Sequence, residues 1–189
     1  LCLHLREIGS SINGGFAEYI DIPTQLVKIG GLVPVPDNIN DDEAALLEPL
    51  ACCLNSQINL GRGLDSGGTM AIIGDGPIGL LHLLLSKSIG TRTIMIGKIP
   101  GRLAKATSLG ADLSLFFNRN NMDDSRYDED TLRRVMCYTD GYGADSIIVA
   151  TSSPAAPRSA GCRRTSSDIY ARYCERGSGR TGPRAGSRT

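Results

Sequence analysis

No apolar run in the 189 residues approaches the ~20 residues that a membrane-spanning helix needs. The opening Leu1-Cys2-Leu3-His4-Leu5-Arg6 lacks the charged, then apolar, then small layout of a secretory signal. It also lacks a starting Met, so the chain is expected to begin inside a longer protein. Six cysteines, at 2, 52, 53, 137, 162 and 174, include no C-x-x-C pair. The simplest account is reduced thiols in a cytoplasmic protein, with Cys52, Cys53 and Cys137 as small core residues. From Pro154 onward Val, Leu, Met and Phe are all missing, and Ile169 is the one branched aliphatic residue. Such a stretch cannot bury enough apolar area to offset the entropy of ordering it. No parallel strand is expected there, only disorder or at most a frayed helix around 167–175.

The neutral overall charge hides an asymmetry. Residues 1–153 hold 12 Lys and Arg against 18 Asp and Glu, whereas residues 154–189 hold 8 Arg, no Lys and 2 acids. The break at Pro154 is abrupt enough to suggest a frameshift or mis-called exon, which sequencing the transcript across Pro154 tests.

What is present centres on Thr69 to Leu85. Met70-Ala71-Ile72-Ile73 reads as a buried parallel strand, and a leucine-rich helical pattern begins by Ile78. Between them lies G-x-G-x-x-G, as Gly74, Gly76 and Gly79. Gly74 permits the tight strand-to-helix turn, Gly76 lets a pyrophosphate approach bare backbone, and Gly79 lets helix and strand pack closely. The helix start offers unpaired N–H groups and a partial positive charge to phosphate. Pro77 suits the first helical position, which loses nothing by lacking an N–H.

Around this core the spacing predicts alternation: strand 69–73, helix 77–89, strand 93–97, helix 100–109, strand 112–116, helix 127–138 and strand 145–150. Gly90 and Gly110 stand where helix C-terminal caps belong, and 118–130 reads as a polar, acidic surface loop. Such alternation implies an α/β fold with helices on both faces of a parallel sheet. Upstream, residues 16–22 and 26–29 read as strands, and Val33-Pro34-Val35-Pro36 as a stiff connection. A helix from about Asp42 towards Gln57 is expected, capped by Asn40 or Asp41 and kinked at Pro49.

Gly14-Gly15-Phe16-Ala17-Glu18-Tyr19, Val35-Pro36-Asp37-Asn38, Glu43-Ala44-Ala45, Glu48-Pro49-Leu50-Ala51 and Gly74-Asp75-Gly76-Pro77-Ile78-Gly79 follow one another in order. In that order and spacing they resemble the zinc-dependent branch of the medium-chain dehydrogenase/reductase superfamily, the alcohol dehydrogenase-like proteins. The Glu-Pro-Leu segment resembles the sorbitol, threonine and cyclitol dehydrogenase side. The resemblance covers residues 1 to about 153. It implies the end of a GroES-like catalytic domain over 1–40, a connecting helix over 41–66 and a partial Rossmann domain over 67–153, followed by the 154–189 tail.

Family members bind catalytic zinc through a Cys and a His-Glu pair in segments this chain does not contain. Cys2 resembles the last of four cysteines in the family's structural-zinc lobe, and one thiolate cannot hold a tetrahedral zinc. The resemblance leaves Glu48 alone as a zinc ligand or partner of its water, against the plain alternative of a solvent-facing helix carboxylate. His82, on the leucine-rich helix, reads as packed or partly exposed rather than ligating. No catalytic residue is assigned. In the complete family enzyme zinc polarises the alcohol oxygen and hydride passes to the nicotinamide. The resemblance therefore implies an oxidoreductase fragment acting on a secondary alcohol or polyol, inactive alone. The alternatives are a non-catalytic dinucleotide-binding fragment, a zinc-free reductase, which Glu48-Pro49-Leu50 disfavours, and, less favoured, a nucleic-acid-associating protein acting through its Arg-rich tail. A homo-oligomer is compatible with all of these.

NAD-using Rossmann domains place an acid about 20 residues past the glycines, for the ribose 2′-OH. Here strand 93–97 ends in Gly97, with Lys98 and Arg102 beyond it. The two cations can serve a 2′-phosphate or can simply be solvated surface charges. The expectation is NADP(H) over NAD(H), with Gly97→Asp weakening NADPH binding. Ala150 and Thr151, at the carboxyl edge of strand 145–150, lie near the nicotinamide by resemblance, or form a plain turn.

Overall fold

A computed structural model describes residues 6–60, 68–117, 129–152 and 170–172. The chain divides into two compact units, Leu1–Ala45 and Leu46–Thr189.

In the first unit the two expected strands are absent. Residues 26–28 belong instead to a five-residue helix, α1 (Thr24–Lys28), which follows Pro23, while 16–22 form no regular element. A strand needs a partner for its backbone groups, and among the described residues of this unit none is offered. Phe16, Tyr19, Ile29 and Val33 all stand exposed. The unit closes with α2 (Asp41–Ala45), whose start is the N-terminus read from the sequence. Asn40 is the cap: its Oδ1 accepts the Glu43 N–H at 2.9 Å, and its own N–H donates to Glu43 Oε2 at 3.1 Å. That reciprocal pair satisfies two otherwise orphan donors.

The expected single helix from 42 to 57 is interrupted at Leu46, and α3 runs Leu47–Ile58. Pro49 has no N–H for the carbonyl four residues back, and its ring would collide with that carbonyl. The ladder therefore stops upstream, leaving Pro49 in the first turn of α3, where a missing donor is harmless.

The alternation that follows matches the sequence reading within a residue or two: β1 (Thr69–Ile73), α4 (Pro77–Ser88), β2 (Arg92–Gly97), α5 (Pro100–Ser108), β3 (Leu113–Phe116), α6 (Glu129–Tyr138) and β4 (Ser146–Val149). The caps expected after α4 and α5 close through Thr91 N–H to Ser86 O and Ala111 N–H to Ala106 O, both at 3.0 Å. β1 pairs in parallel with β2 on one side and β4 on the other, aligning Ile72 with Met95 and with Ile148, and β2 pairs in parallel with β3. The order is β3-β2-β1-β4, with β5 (Tyr170–Arg172) beyond β4.

β5 corrects the expectation of a frayed helix at 167–175, because it pairs antiparallel with β4. Pairing of this kind uses main-chain groups that an edge strand leaves open, so it needs no Val or Ile run. The rest of the expected disordered tail, and the loop at 118–128, lie outside the described residues.

Period-2 alternation along β1 and β2 splits the core between two faces. Met70, Ile72 and Met95 pack with Leu83 of α4 and Leu103 and Ala106 of α5, while Ala71 and Ile94 pack with Leu115 and with Val135 of α6. The sheet is therefore covered by helices on both sides, an α/β layering as expected. Among the described residues no helix is long and apolar enough to cross a membrane.

Candidate dinucleotide site

From β1 the chain steps to β2 and β3 on one side of the sheet and returns to β4 on the other. The strand order thus reverses between β1 and β4, and in open α/β sheets the carboxyl edge at such a reversal is where ligands bind. Two hydrogen bonds tie this edge together: Gly74 N–H donates to Ile96 O, and Ala150 N–H donates to Ile73 O, both at 2.8 Å.

The three glycines owe their identity to different causes. Gly74 has φ +124°, and a Cβ there would stand 2.5 Å from Ala150 O. A Cβ on Gly79 would run into the Gly74 carbonyl oxygen. Both positions are closed by the chain's own backbone. Gly76 differs, since a Cβ there would meet nothing within 4 Å. Among the described residues no atom requires Gly76 to be glycine, and the open space lies at the N-cap of α4, which has no side-chain cap hydrogen bond. The first-turn N–H groups of Ile78 and Gly79 have no intrahelical acceptor, while Pro77, at N1 or N2, contributes no donor. The arrangement can take an anion against bare main chain.

Gly97 ends β2 and is buried; Lys98 and Arg102 beyond it are exposed, as is Thr151 after β4, and Ala150 is half-buried. The Lys98 ammonium stands 5.6 Å from the centroid of the Phe117 ring. One residue of this corner escaped the sequence reading. Asp75, only 8% exposed, accepts the Ile99 N–H at 2.7 Å and the Lys98 N–H at 3.1 Å, both through Oδ2. A Cβ on Gly97 would stand 2.5 Å from both Cβ and Cγ of Asp75. Gly97→Asp is therefore not a clean probe of cofactor preference, because any side chain there collides with Asp75. The signal available in the sequence was an acid inside the glycine motif facing a glycine at the end of the next strand.

Glu48 lies elsewhere, exposed in the first turn of α3, where its Oε1 accepts the Cys52 thiol at 3.2 Å. That hydrogen bond, with the carboxylate's charge and some burial, pushes the Cys52 thiol up from its ordinary value, away from the thiolate that zinc binding needs. Among the described residues no group of three or more metal-ligating side chains exists, so these residues do not fit a zinc site. The core assignment of Cys52 and Cys137 is corrected, since both are exposed while Cys53 is buried. At 100° per residue, Cys53 turns into the unit, its thiol 3.8 Å from Ile78 O, and Cys52 turns away. Cys137, two positions past the inward-facing Val135 of α6, falls on the opposite side.

Of the two alternatives that the sequence left for His82, packed or partly exposed, the structure shows the first: the side chain is fully buried. Gln57 Nε2 lies 3.1 Å from His82 Nδ1, 3.0 Å from His82 O and 3.3 Å from Ser86 Oγ. With the amide placed this way Nδ1 accepts and the proton resides on Nε2. His82 Nε2 and Gln57 Oε1 are buried without a hydrogen-bond partner. Burial pushes the imidazole down to about 4.

No protein-family profile matches the chain. Among curated proteins it is 36% identical to D-arabitol-phosphate dehydrogenase of Enterococcus avium, over 81% of this chain and 40% of that one. It is 31% identical to sorbitol dehydrogenase of Halalkalibacterium halodurans, over 82% and 42%, and 31% to L-threonine 3-dehydrogenase of Bacillus velezensis, over 82% and 41%. The chain thus spans about two-fifths of the length of these relatives. Among solved structures, an alcohol dehydrogenase of Thermotoga maritima superposes with TM-score 0.57 at 27% identity, covering 67% of this chain and 33% of that one. A short chain alcohol dehydrogenase of E. coli CFT073 complexed with NADH gives TM-score 0.61 at 26% identity, covering 81% and 41%. Together with the β3-β2-β1-β4 sheet and the glycine turn at its reversal, these likenesses place the chain in the alcohol dehydrogenase-like, zinc-type medium-chain dehydrogenase/reductase family.

Proposed function

We propose that residues 67–153 supply the dinucleotide-binding part of an oxidoreductase that moves hydride between a secondary alcohol, a polyol or a relative of one, and NAD(P). The observation that carries this reading is Gly76, a glycine that no described residue requires, at a helix start without a side-chain cap where the sheet order reverses. Gly74 and Gly79 shape the turn, Ile78 and Gly79 offer main-chain N–H groups to the pyrophosphate, and Pro77 pre-sets the helix start. Gly97, Lys98 and Arg102 flank the adenosine ribose, and Ala150 and Thr151 border the nicotinamide, whose ring would supply the hydride carrier. With two exposed cations and no acid on β2, the reading favours NADP(H) over NAD(H). The polyol assignment is supported by the relatives named for arabitol phosphate and sorbitol.

No zinc chemistry is assigned to this chain's described residues, and Glu48 is at most one ligand of a site completed elsewhere. The same reading takes residues 1–40 as the end of the catalytic domain, 41–66 as the connecting helix and the protein as cytoplasmic; a homo-oligomer is compatible with it. Titrating the chain with NADPH and NADH, followed by nucleotide fluorescence, tests the assignment. The expected result is saturable binding, tighter for NADPH. Absence of binding by either nucleotide overturns it. Because the described residues bring no set of metal donors together, the second reading, a fragment that binds without turnover, makes its own prediction: nucleotide raises Tm while alcohols and NADP+ give no absorbance at 340 nm.

A further inference from the structure

The end of β2, the place from which Rossmann domains usually present an acid to the ribose, is filled from another direction. Gly97 has no side chain, and the volume its Cβ would enter holds the Asp75 side chain, with Asp75 Cβ and Cγ at 2.5 Å and Oδ2 at 2.6 Å from that point. Asp75 is anchored there: Oδ2 takes the Ile99 and Lys98 N–H groups at the start of α5, at 2.7 Å and 3.1 Å, and Oδ1 takes neither. The acid missing from β2 thus arrives from the glycine loop of β1, at the same corner of the sheet.

We infer that Asp75 is a specificity-determining residue of the dinucleotide site: its carboxylate favours a ribose with free hydroxyls and opposes a 2′-phosphate, against Lys98 and Arg102. The inference rests on the dinucleotide reading above and adds to it the group that keeps NAD(H) an acceptable ligand. Oδ1 is the acceptor for a ribose hydroxyl. A phosphate in place of that hydroxyl sets two negative groups against each other, a repulsion that amounts to several-fold in affinity even at the dielectric of water and to roughly tenfold or more beside a carboxylate as buried as Asp75.

The test uses the full chain and measures Kd for NADPH and NADH by fluorescence. Asp75→Asn removes the charge and keeps an oxygen for the Lys98 and Ile99 N–H groups. It is expected to raise the preference for NADPH by roughly tenfold relative to the wild type, while Arg102→Ala moves the ratio the other way. Should Asp75→Asn not fold, Asp75→Ser serves, because it also removes the charge and retains an oxygen. A merely structural cap weakens both nucleotides alike, so an unmoved ratio, or one moved towards NADH, overturns the inference and leaves the dinucleotide reading standing. Failure of the wild-type chain to bind either nucleotide overturns both.

Discussion

Acidification from pH 6.5 to pH 4 is expected to cost Leu46–Thr189 about 3 kcal/mol through His82 alone. The imidazole is pushed from 6.5 to about 4 by burial, and each unit of difference between unfolded and folded chain corresponds to about 1.36 kcal/mol. The sign follows from proton uptake. Above pH 6.5 the ring is neutral in both states and stability is level in this group. As pH falls below 6.5 the unfolded chain binds a proton that the folded chain refuses, and stability declines until the folded ring protonates near pH 4. The geometry agrees with the direction: Nδ1 accepts from Gln57 Nε2 at 3.1 Å, so protonation would set two donors against each other inside the core. The assay is urea unfolding at half-unit steps from pH 7.5 to 4, for the wild type and for His82→Gln. Carboxylates titrate in both proteins, so the difference between the two curves isolates His82. Refutation is simple to recognise: if both proteins lose stability with the same slope between pH 6.5 and 4.5, the imidazole is not held neutral by its surroundings.

Gly76→Ala is expected to leave Tm within about 1 °C and to abolish nucleotide binding, since its Cβ meets no protein atom but does fill the anion's approach; unchanged Kd values would refute the site. Gly79→Ala does the reverse to the fold: its Cβ meets the Gly74 carbonyl oxygen, so a Tm loss of several degrees is expected by calorimetry. Leu83→Ala empties the centre of the α4 face, where Leu83 is fully buried, and should cost about 2–5 kcal/mol in urea unfolding. Dialysis against zinc followed by elemental analysis should leave the chain without stoichiometric metal, because among the described residues only Cys52 is hydrogen-bonded to Glu48 and no group of three metal-ligating side chains forms.

Periodicity and punctuation made the sheet readable. Ile72, Met95 and Ile148 come from runs whose only economical placement is a buried strand, and Gly90 and Gly110 mark where their helices stop. The break at Leu46 was harder to locate, because Pro49 acts on a carbonyl four residues upstream rather than at its own position. The strands expected at 16–22 and 26–29 failed for a reason local sequence does not contain: alternation describes a face, and a strand also needs a neighbour. β5 escaped for the converse reason, since antiparallel pairing on an edge draws on main-chain groups common to every residue. At the candidate site the glycine positions were visible as a pattern, but their separate causes were not. The part of Asp75 was hidden because 22 positions separate it from the glycine it covers, and only the sheet brings them together.

The unequal footing of the three glycines sets how this corner would age. Gly74 and Gly79 are demanded by the polypeptide itself, so any descendant that still folds must retain them. Gly76 answers to none of the described residues, and a lineage released from the need to hold a nucleotide would be free to replace it without losing the sheet. The middle glycine is therefore a built-in recorder of use, erased first if the site falls idle.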